Sequence, residues 1–316
     1  SDVYKRQVSN YMPIYSAVGI EGVSSQFYLA SIAGLEVLNN GGNAFDAAIT
    51  ISSLLTIALP YTSSIGGDGF LFAIESSGEL VAYNGSGCSS SIFPIDLYLR
   101  EKPVRGPLTV TVPGLVDLWS WIWENYGSID PSKLLKPAIS LAENGFYAPE
   151  QLVRTIKNVY SELSIYDSWR RVFGQIKPYS YIYFKELARV LKILATRGFR
   201  DFYEGYIAEE IVDGLVKEGV PITYEDFSRH RGQKITPIKI KYKRYDIYEL
   251  PPNTQGVTTL EILRLIEYTN INKKAFNDIE RIRQYFKIVA QAYTDRDMFL
   301  GDPHYTCLLY TSDAAD

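Results

Sequence analysis

Side chains able to carry a reaction are sparse and scattered along this chain. It holds two His and two Cys in 316 residues. Cys88 would need a neighbouring base to act as a nucleophile, and His230 and His304 lie far from it in sequence. No Cys or His spacing suggests a zinc site. Asp295-Arg296-Asp297 offers two carboxylates at the end of an expected helix. Such a pair could move protons, but flanking an Arg it is expected to form local ion pairs. Ser63, Ser64, Ser89, Ser90 and Ser91 supply hydroxyls without a Gly-x-Ser-x-Gly elbow. Two Gly-rich stretches stand out. Gly85-Ser86-Gly87-Cys88-Ser89-Ser90 follows an expected strand, but it lacks the third Gly of a dinucleotide fingerprint, and Ile92-Phe93-Pro94 interrupts any helix behind it. A tight turn near a ligand is the expectation. Ser63-Ser64-Ile65-Gly66-Gly67-Asp68-Gly69 lacks the Lys of a phosphate loop and reads as a backbone turn where another segment packs closely. Lys239-Ile240-Lys241-Tyr242-Lys243-Arg244 reads as a solvated strand edge rather than an RNA-binding patch. No complete catalytic constellation emerges.

The elements that must position these residues follow from periodicity. Ser24 and Ser25 are expected to cap a helix over about 28–40, stopped by Gly41-Gly42. A nearly all-apolar helix follows over 44–59, and apolar residues around its whole circumference predict that it is buried. Strands are expected over 70–75 and 80–84 with a turn at Ser76-Ser77-Gly78, and over 108–112. Helical spacing recurs over 115–126, 131–144, 149–163, 184–197, 208–217, 224–229, 254–267 and 278–299. Strands are expected over 235–242 and 245–249. The pattern predicts one helix-rich α+β domain with no linker, low-complexity run or internal repeat.

Composition agrees with a globular chain. Apolar residues make up 46% and charged residues 22%, with a net charge of −4. This excludes a disordered chain, a collagen and a disulfide-stapled mini-protein, and gives no general pull toward nucleic acid or anionic membrane. No apolar stretch approaches the roughly 18 residues needed to span a bilayer.

The two ends read differently from the rest. Residues 1–7 (SDVYKRQ) and 307–316 (CLLYTSDAAD) are both accounted for by one DNA string, translated on opposite strands, which resembles the transposase adapter of sequencing libraries. Residues 1–7 and 307–316 are therefore expected to be non-native, with a natural segment over 8–306 interrupted in mid-fold. Cys88 is then the one natural cysteine.

An ordered set of motifs resembles the γ-glutamyltranspeptidase family across nearly all of residues 18–303. Ala33-Gly34-Leu35-Glu36-Val37-Leu38-Asn39-Asn40-Gly41-Gly42-Asn43-Ala44-Phe45-Asp46-Ala47-Ala48 resembles the family's A-G-L-x-x-L-x-x-G-G-N-A-x-D-A-A. Ile65-Gly66-Gly67-Asp68-Gly69-Phe70 resembles I-G-G-G-G-F. Val112-Pro113-Gly114, Tyr126-Gly127, Pro137-Ala138, Ala142-Glu143-Asn144-Gly145-Phe146 and Phe202-Tyr203-Glu204-Gly205 with Ile207-Ala208 follow in family order. So do Glu249-Leu250-Pro251-Pro252-Asn253-Thr254-Gln255-Gly256 and Asp295-Arg296-Asp297-Met298-Phe299-Leu300-Gly301-Asp302-Pro303.

The resemblance implies an Ntn-hydrolase, an α-β-β-α sandwich of which this chain would be the helix-rich large-subunit portion. The family's precursor cuts itself ahead of a Thr, whose hydroxyl then attacks a γ-glutamyl amide with its own α-amine as base. Such chemistry needs no metal or cofactor. It implies a small subunit from the same precursor as partner, with no nucleic acid and no membrane span. The nucleophile is expected beyond the Gly-Asp-Pro block and outside this chain. Thr306 abuts the adapter-like end and Thr311 lies within it, so neither is assigned that role.

One family branch carries N-G-S-G-R-A-P where the substrate α-carboxylate is bound. Asn84-Gly85-Ser86-Gly87 resembles it, as does Pro252-Asn253-Thr254-Gln255-Gly256, but Cys88 stands in the Arg place and Ser89-Ser90 replace Ala-Pro. Ser86, Cys88, Arg100 and Arg105 are the candidate substrate-binding residues, the two Arg as nearby substitutes for the missing guanidinium. A γ-glutamyl transferase or hydrolase is the first expectation. The alternatives are a related amidase of the oxamate or cephalosporin-acylase type, or a non-catalytic binding relative. The branch often lacks export signals, which favours a cytoplasmic location.

Overall fold

The structure, a computed structural model, describes residues 19–304. Both adapter-like ends, with Thr306 and Thr311, lie outside the described residues. The fold mixes α-helices with small antiparallel sheets. It divides into two compact units, each assembled from two stretches of chain: residues up to 64 with 119–202, and 65–118 with 203 onward.

In the first unit, the helices Tyr28–Asn39, Ala44–Ala58, Pro131–Asn144 and Lys185–Arg197 pack in succession. Ala188, Leu191 and Leu194 of the last of these are fully buried, at the spacing of a helix stripe. Gly41, at φ +89°, and Gly42 end the first helix by donating their N–H groups to Leu38 and Val37. The expected Ser24 or Ser25 cap is not formed. Phe27 is the N-cap, and the Ser25 hydroxyl lies 2.9 Å from the Phe27 carbonyl and 2.7 Å from the Ser31 hydroxyl, away from the helix N–H groups.

The second helix is buried as its composition predicts, yet polar groups fix its start. Asn43 accepts from the N–H groups of Phe45 and Asp46, and Asp46 accepts from the Asn43 N–H, closing a capping box. Asp46 is fully buried. Its carboxylate also takes the Ser128 N–H at 3.0 Å, the Ser128 hydroxyl and the Ile129 N–H at 3.3 Å, while the Asn43 amide donates to the Tyr126 carbonyl at 2.7 Å. Asn43 and Asp46 of the G-G-N-A-x-D-A-A motif are thus structural. They tie a helix start to a loop more than eighty residues away.

The second unit is built on the antiparallel strands Gly69–Ile74 and Leu80–Gly85, with Gln233–Ile235 added beside the latter. Gly69 pairs with Gly85, so the hairpin brings both Gly-rich stretches to one end of the sheet. A separate hairpin pairs Ile238–Tyr242 with Tyr245–Glu249. The helices Gly256–Glu267 and Ile279–Phe299 pack on each other, and the former also packs on this hairpin.

Two strand expectations fail here for identifiable reasons. Residues 235–242 break at Thr236-Pro237, because Pro has no N–H for the ladder. Residues 108–112 form no strand: a 3-10 turn covers Pro107–Thr109, and the Val112 N–H goes to the Cys88 carbonyl at 3.0 Å. Among the described residues, no helix is long and apolar enough to cross a membrane.

Candidate functional site

The end of the sheet where the hairpin strands begin and finish carries the most closely fitted backbone in the second unit. A Cβ at Gly87 would stand 1.6 Å from the Val112 carbonyl oxygen, and one at Gly114 would stand 1.6 Å from that of Gly85. Only glycine fits at either place. The Val112-Pro113-Gly114 turn therefore lies directly against the Gly85-Ser86-Gly87 loop. Gly67 joins them, its carbonyl accepting from the Gly114 and Leu115 N–H groups at 3.0 and 2.9 Å.

A buried network holds the same turn from behind. The Tyr203 hydroxyl donates to the Pro113 carbonyl at 2.7 Å and accepts from the Asp117 N–H at 3.0 Å. The Asp117 carboxylate accepts from the Tyr83 hydroxyl at 2.7 Å and the Gly232 N–H at 2.8 Å. Tyr203, Asp117 and Tyr83 are all buried, where unpaired polar groups would be costly and paired ones fix a single arrangement. Phe202-Tyr203-Glu204-Gly205 thus serves the site through support.

Three side chains close a ring on this loop. Asn84 donates to Asn253 at 2.9 Å, Asn253 donates to the Ser86 hydroxyl at 2.9 Å, and that hydroxyl donates back to Asn84 at 2.7 Å. The Ser86 proton is thereby directed to Asn84. Asn253 is the residue that the sequence signals only as part of a motif. Its partners lie more than 160 positions away, which spacing alone does not show.

Cys88 follows the ring as an exposed free thiol. Asp68 is tied to the residue before Cys88, accepting the Gly87 N–H at 3.1 Å. Part of its surface is open. Even so, burial by surrounding backbone raises its pKa, while hydrogen bonds from the Gly87 and Gly114 N–H groups pull the other way. Ser90 and Ser91 are clasped to the helix Tyr224–Arg229: the Ser90 hydroxyl donates to Asp226 at 2.6 Å and the Ser91 N–H at 3.0 Å. Burial pushes the Asp226 pKa up, but these bonds, with those from the Thr223 N–H and hydroxyl, outweigh it and hold it at about 2.

The two arginines take other places. Arg100 lies on the helix Ile95–Glu101, is 73% exposed and reaches its neighbour Glu101 at 3.6 Å. Arg105 is exposed beyond the left-handed residue Lys102. The structure joins Ser86 with Asn84 and Asn253, sets Cys88 next in line, and gives no hydrogen bond from Arg100 to either.

A second concavity of about 790 Å³ opens between the strand Ile238–Tyr242 and the helices Gly256–Glu267 and Ile279–Phe299. Its wall includes Ile238, Ile240, Leu260 and Phe299, with Glu261 and Asp295 among them. Burial, then a hydrogen bond to Asp295 and the Asp295 charge, push Glu261 up to about 7. Arg296 bonds Asp297 at 2.7 Å and Gln255 at 3.1 Å. The expected local pairing therefore holds for Arg296–Asp297, while Asp295 meets Glu261 from the neighbouring helix. No group of three or more His, Cys, Asp or Glu among the described residues could hold a metal ion.

Comparisons with known proteins place this arrangement. The chain is 36% identical to the "Glutathione hydrolase-like YwrD proenzyme" of Bacillus subtilis over 89% of its own length and 55% of that protein. It is 28% identical to the "Oxamate amidohydrolase proenzyme" of Klebsiella pneumoniae, over 88% of itself and 54% of that relative. The crystal structure of Helicobacter pylori γ-glutamyltranspeptidase superposes with a TM-score of 0.84 at 29% identity, covering 93% of this chain and 88% of that one. The chain thus spans about half the length of the curated relatives it matches. The γ-glutamyltranspeptidase family model matches residues 30–313, running past Thr306 into the adapter-like end. That match, with the shared fold of the solved relative, establishes that the chain belongs to the γ-glutamyltranspeptidase family.

Proposed function

We propose that this chain is the large-subunit part of a self-processing amidase whose nucleophilic Thr and small subunit come from sequence outside these 316 residues. The observation that carries the reading is the loop Asn84–Cys88, locked by Asn253 and by Val112-Pro113-Gly114, within a chain that spans about half of relatives named as proenzymes. In this reading the Thr hydroxyl attacks an amide carbonyl, the Thr α-amine takes the hydroxyl proton, and the leaving amine departs with a proton returned to it. Water or a second amine then releases the acyl group. The role of this chain is to bind and orient the acyl part of the substrate. Ser86 and Asn253 offer neutral hydrogen-bonding groups, with Cys88 at the end of the loop.

The partner is the small subunit of the same precursor. In support, Phe70, Phe72 and Ile74 point to one side of their strand and are 43%, 41% and 68% exposed. A sheet face of this kind is ordinarily covered by another layer. The test is to express the full-length precursor. Two fragments that stay together and release amine from an amide are expected, with one uncut and inactive chain after the nucleophilic Thr is changed to Ala. An active protein that stays in one piece would refute the reading.

A second reading keeps the amidase and changes the substrate. Cys88 in place of a guanidinium removes bidentate carboxylate binding at that position. It favours an acyl group other than γ-glutamyl.

A further inference from the structure

We infer that Asp68, acting beside Cys88, makes the acyl site select an amide whose acyl group carries no carboxylate at this loop. This rests on the amidase reading above and adds to it the chemical class of the substrate and the residue that sets it.

The loop is held by three neutral groups and one charged one, namely Asn84 and Asn253, the Val112 backbone and the Asp68 carboxylate. Asp68 interrupts the run Gly66-Gly67-Asp68-Gly69, in a turn where a side chain is least expected. Its carboxylate is bonded directly to the Gly87 N–H at 3.1 Å, one residue before Cys88. That N–H, a donor that could face an anionic ligand, is therefore already taken by an anion of the protein itself. Gly87 and Gly114 are packed too tightly against their neighbours to turn away. A carboxylate arriving beside Cys88 meets a like charge and finds the Gly87 N–H already bonded. An uncharged or amine-bearing group does not meet that like charge. Selection by repulsion of the wrong substrate is as effective as attraction of the right one.

Two anilides isolate this effect. γ-Glutamyl-4-nitroanilide and 4-aminobutyryl-4-nitroanilide share the chain, the amine and the scissile amide, and differ by the α-carboxylate alone. For the processed full-length protein, kcat/KM for the aminobutyryl compound is expected to exceed that for the γ-glutamyl compound by about tenfold or more. The double variant D68N/C88R keeps an acceptor for the Gly87 N–H, removes the anion and supplies a guanidinium. It should move the ratio toward the γ-glutamyl compound by about tenfold or more. Processing into two fragments reports that the variant folds, and the wild-type ratio decides the matter alone if it does not. Equal rates on the two anilides, preference for the γ-glutamyl one, or a processed protein that cleaves neither would overturn the substrate class and leave the amidase reading standing. Absence of both self-cleavage and turnover would overturn the amidase reading, and this inference with it.

Discussion

At the scale of single residues, the candidate site is held by side chains whose partners are remote in sequence. Asn253 is the clearest case, since it closes a ring with Asn84 and Ser86. Replacing Asn253 by Ala in the processed full-length protein is expected to lower kcat/KM about tenfold, mainly through KM, because the loop proposed to bind the acyl group loses its lock. Steady-state kinetics on an anilide substrate checks this, and a loss confined to kcat would contradict it. Asp226 gives a second prediction. Its pKa is held at about 2 in the folded chain against an ordinary value of 3.8. A depressed carboxyl contributes stability that is present above about pH 4 and is lost as pH falls toward about 2. D226N should therefore flatten that acid limb in a denaturation series between pH 5 and 2. The Cys88 substitution was legible in sequence because a motif framed it. The part played by Asp68 was not, because its effect depends on which N–H it occupies.

At the scale of elements, most helices were legible because their apolar spacing is regular, as in Lys185–Arg197. The failures have local causes: Pro237 has no N–H to continue a ladder, and elsewhere other partners took the groups that a strand or a cap would have used. Val112 gives its N–H to Cys88 instead of to a strand ladder, and Ser25 turns toward Phe27 and Ser31 instead of capping. Asp46 lies between these cases. Its motif was visible, but its bonds to Ser128 and Ile129 were not. Asp46→Ala would remove the acceptor of those donors and break a capping box, at a cost of about 2 kcal/mol by chemical denaturation. The packed helices carrying Glu261 and Asp295 make a pH prediction of the opposite sign. The folded Glu261 holds its proton up to about pH 7, whereas an ordinary glutamate loses it near 4.5. Unfolding in that window releases a proton, so stability falls as pH rises from about 4.5 to about 7. E261Q should abolish that fall, and an unchanged pH slope would contradict the pairing.

At the scale of the whole molecule, the sequence carried the family well, because an ordered set of motifs survives at about a third identity to a known relative. It carried the tertiary role of those motifs poorly. Several of them, among them Asn43, Asp46 and Tyr203, hold backbone groups of distant segments. The proposed division of labour between subunits accounts for the lack of any catalytic constellation among His, Cys and Ser side chains. It also predicts that this chain alone hydrolyses no amide, and that Phe72→Asp on the exposed strand face weakens retention of the small subunit in size-exclusion chromatography. The most direct test of the central claim is the N-terminal residue of the smaller fragment, read by mass spectrometry after the full-length precursor is expressed. A fragment beginning with Thr, formed by the purified precursor without added protease, is the predicted result. A precursor that stays intact while cleaving amides, or a fragment beginning at a residue without a nucleophilic side chain, would contradict it.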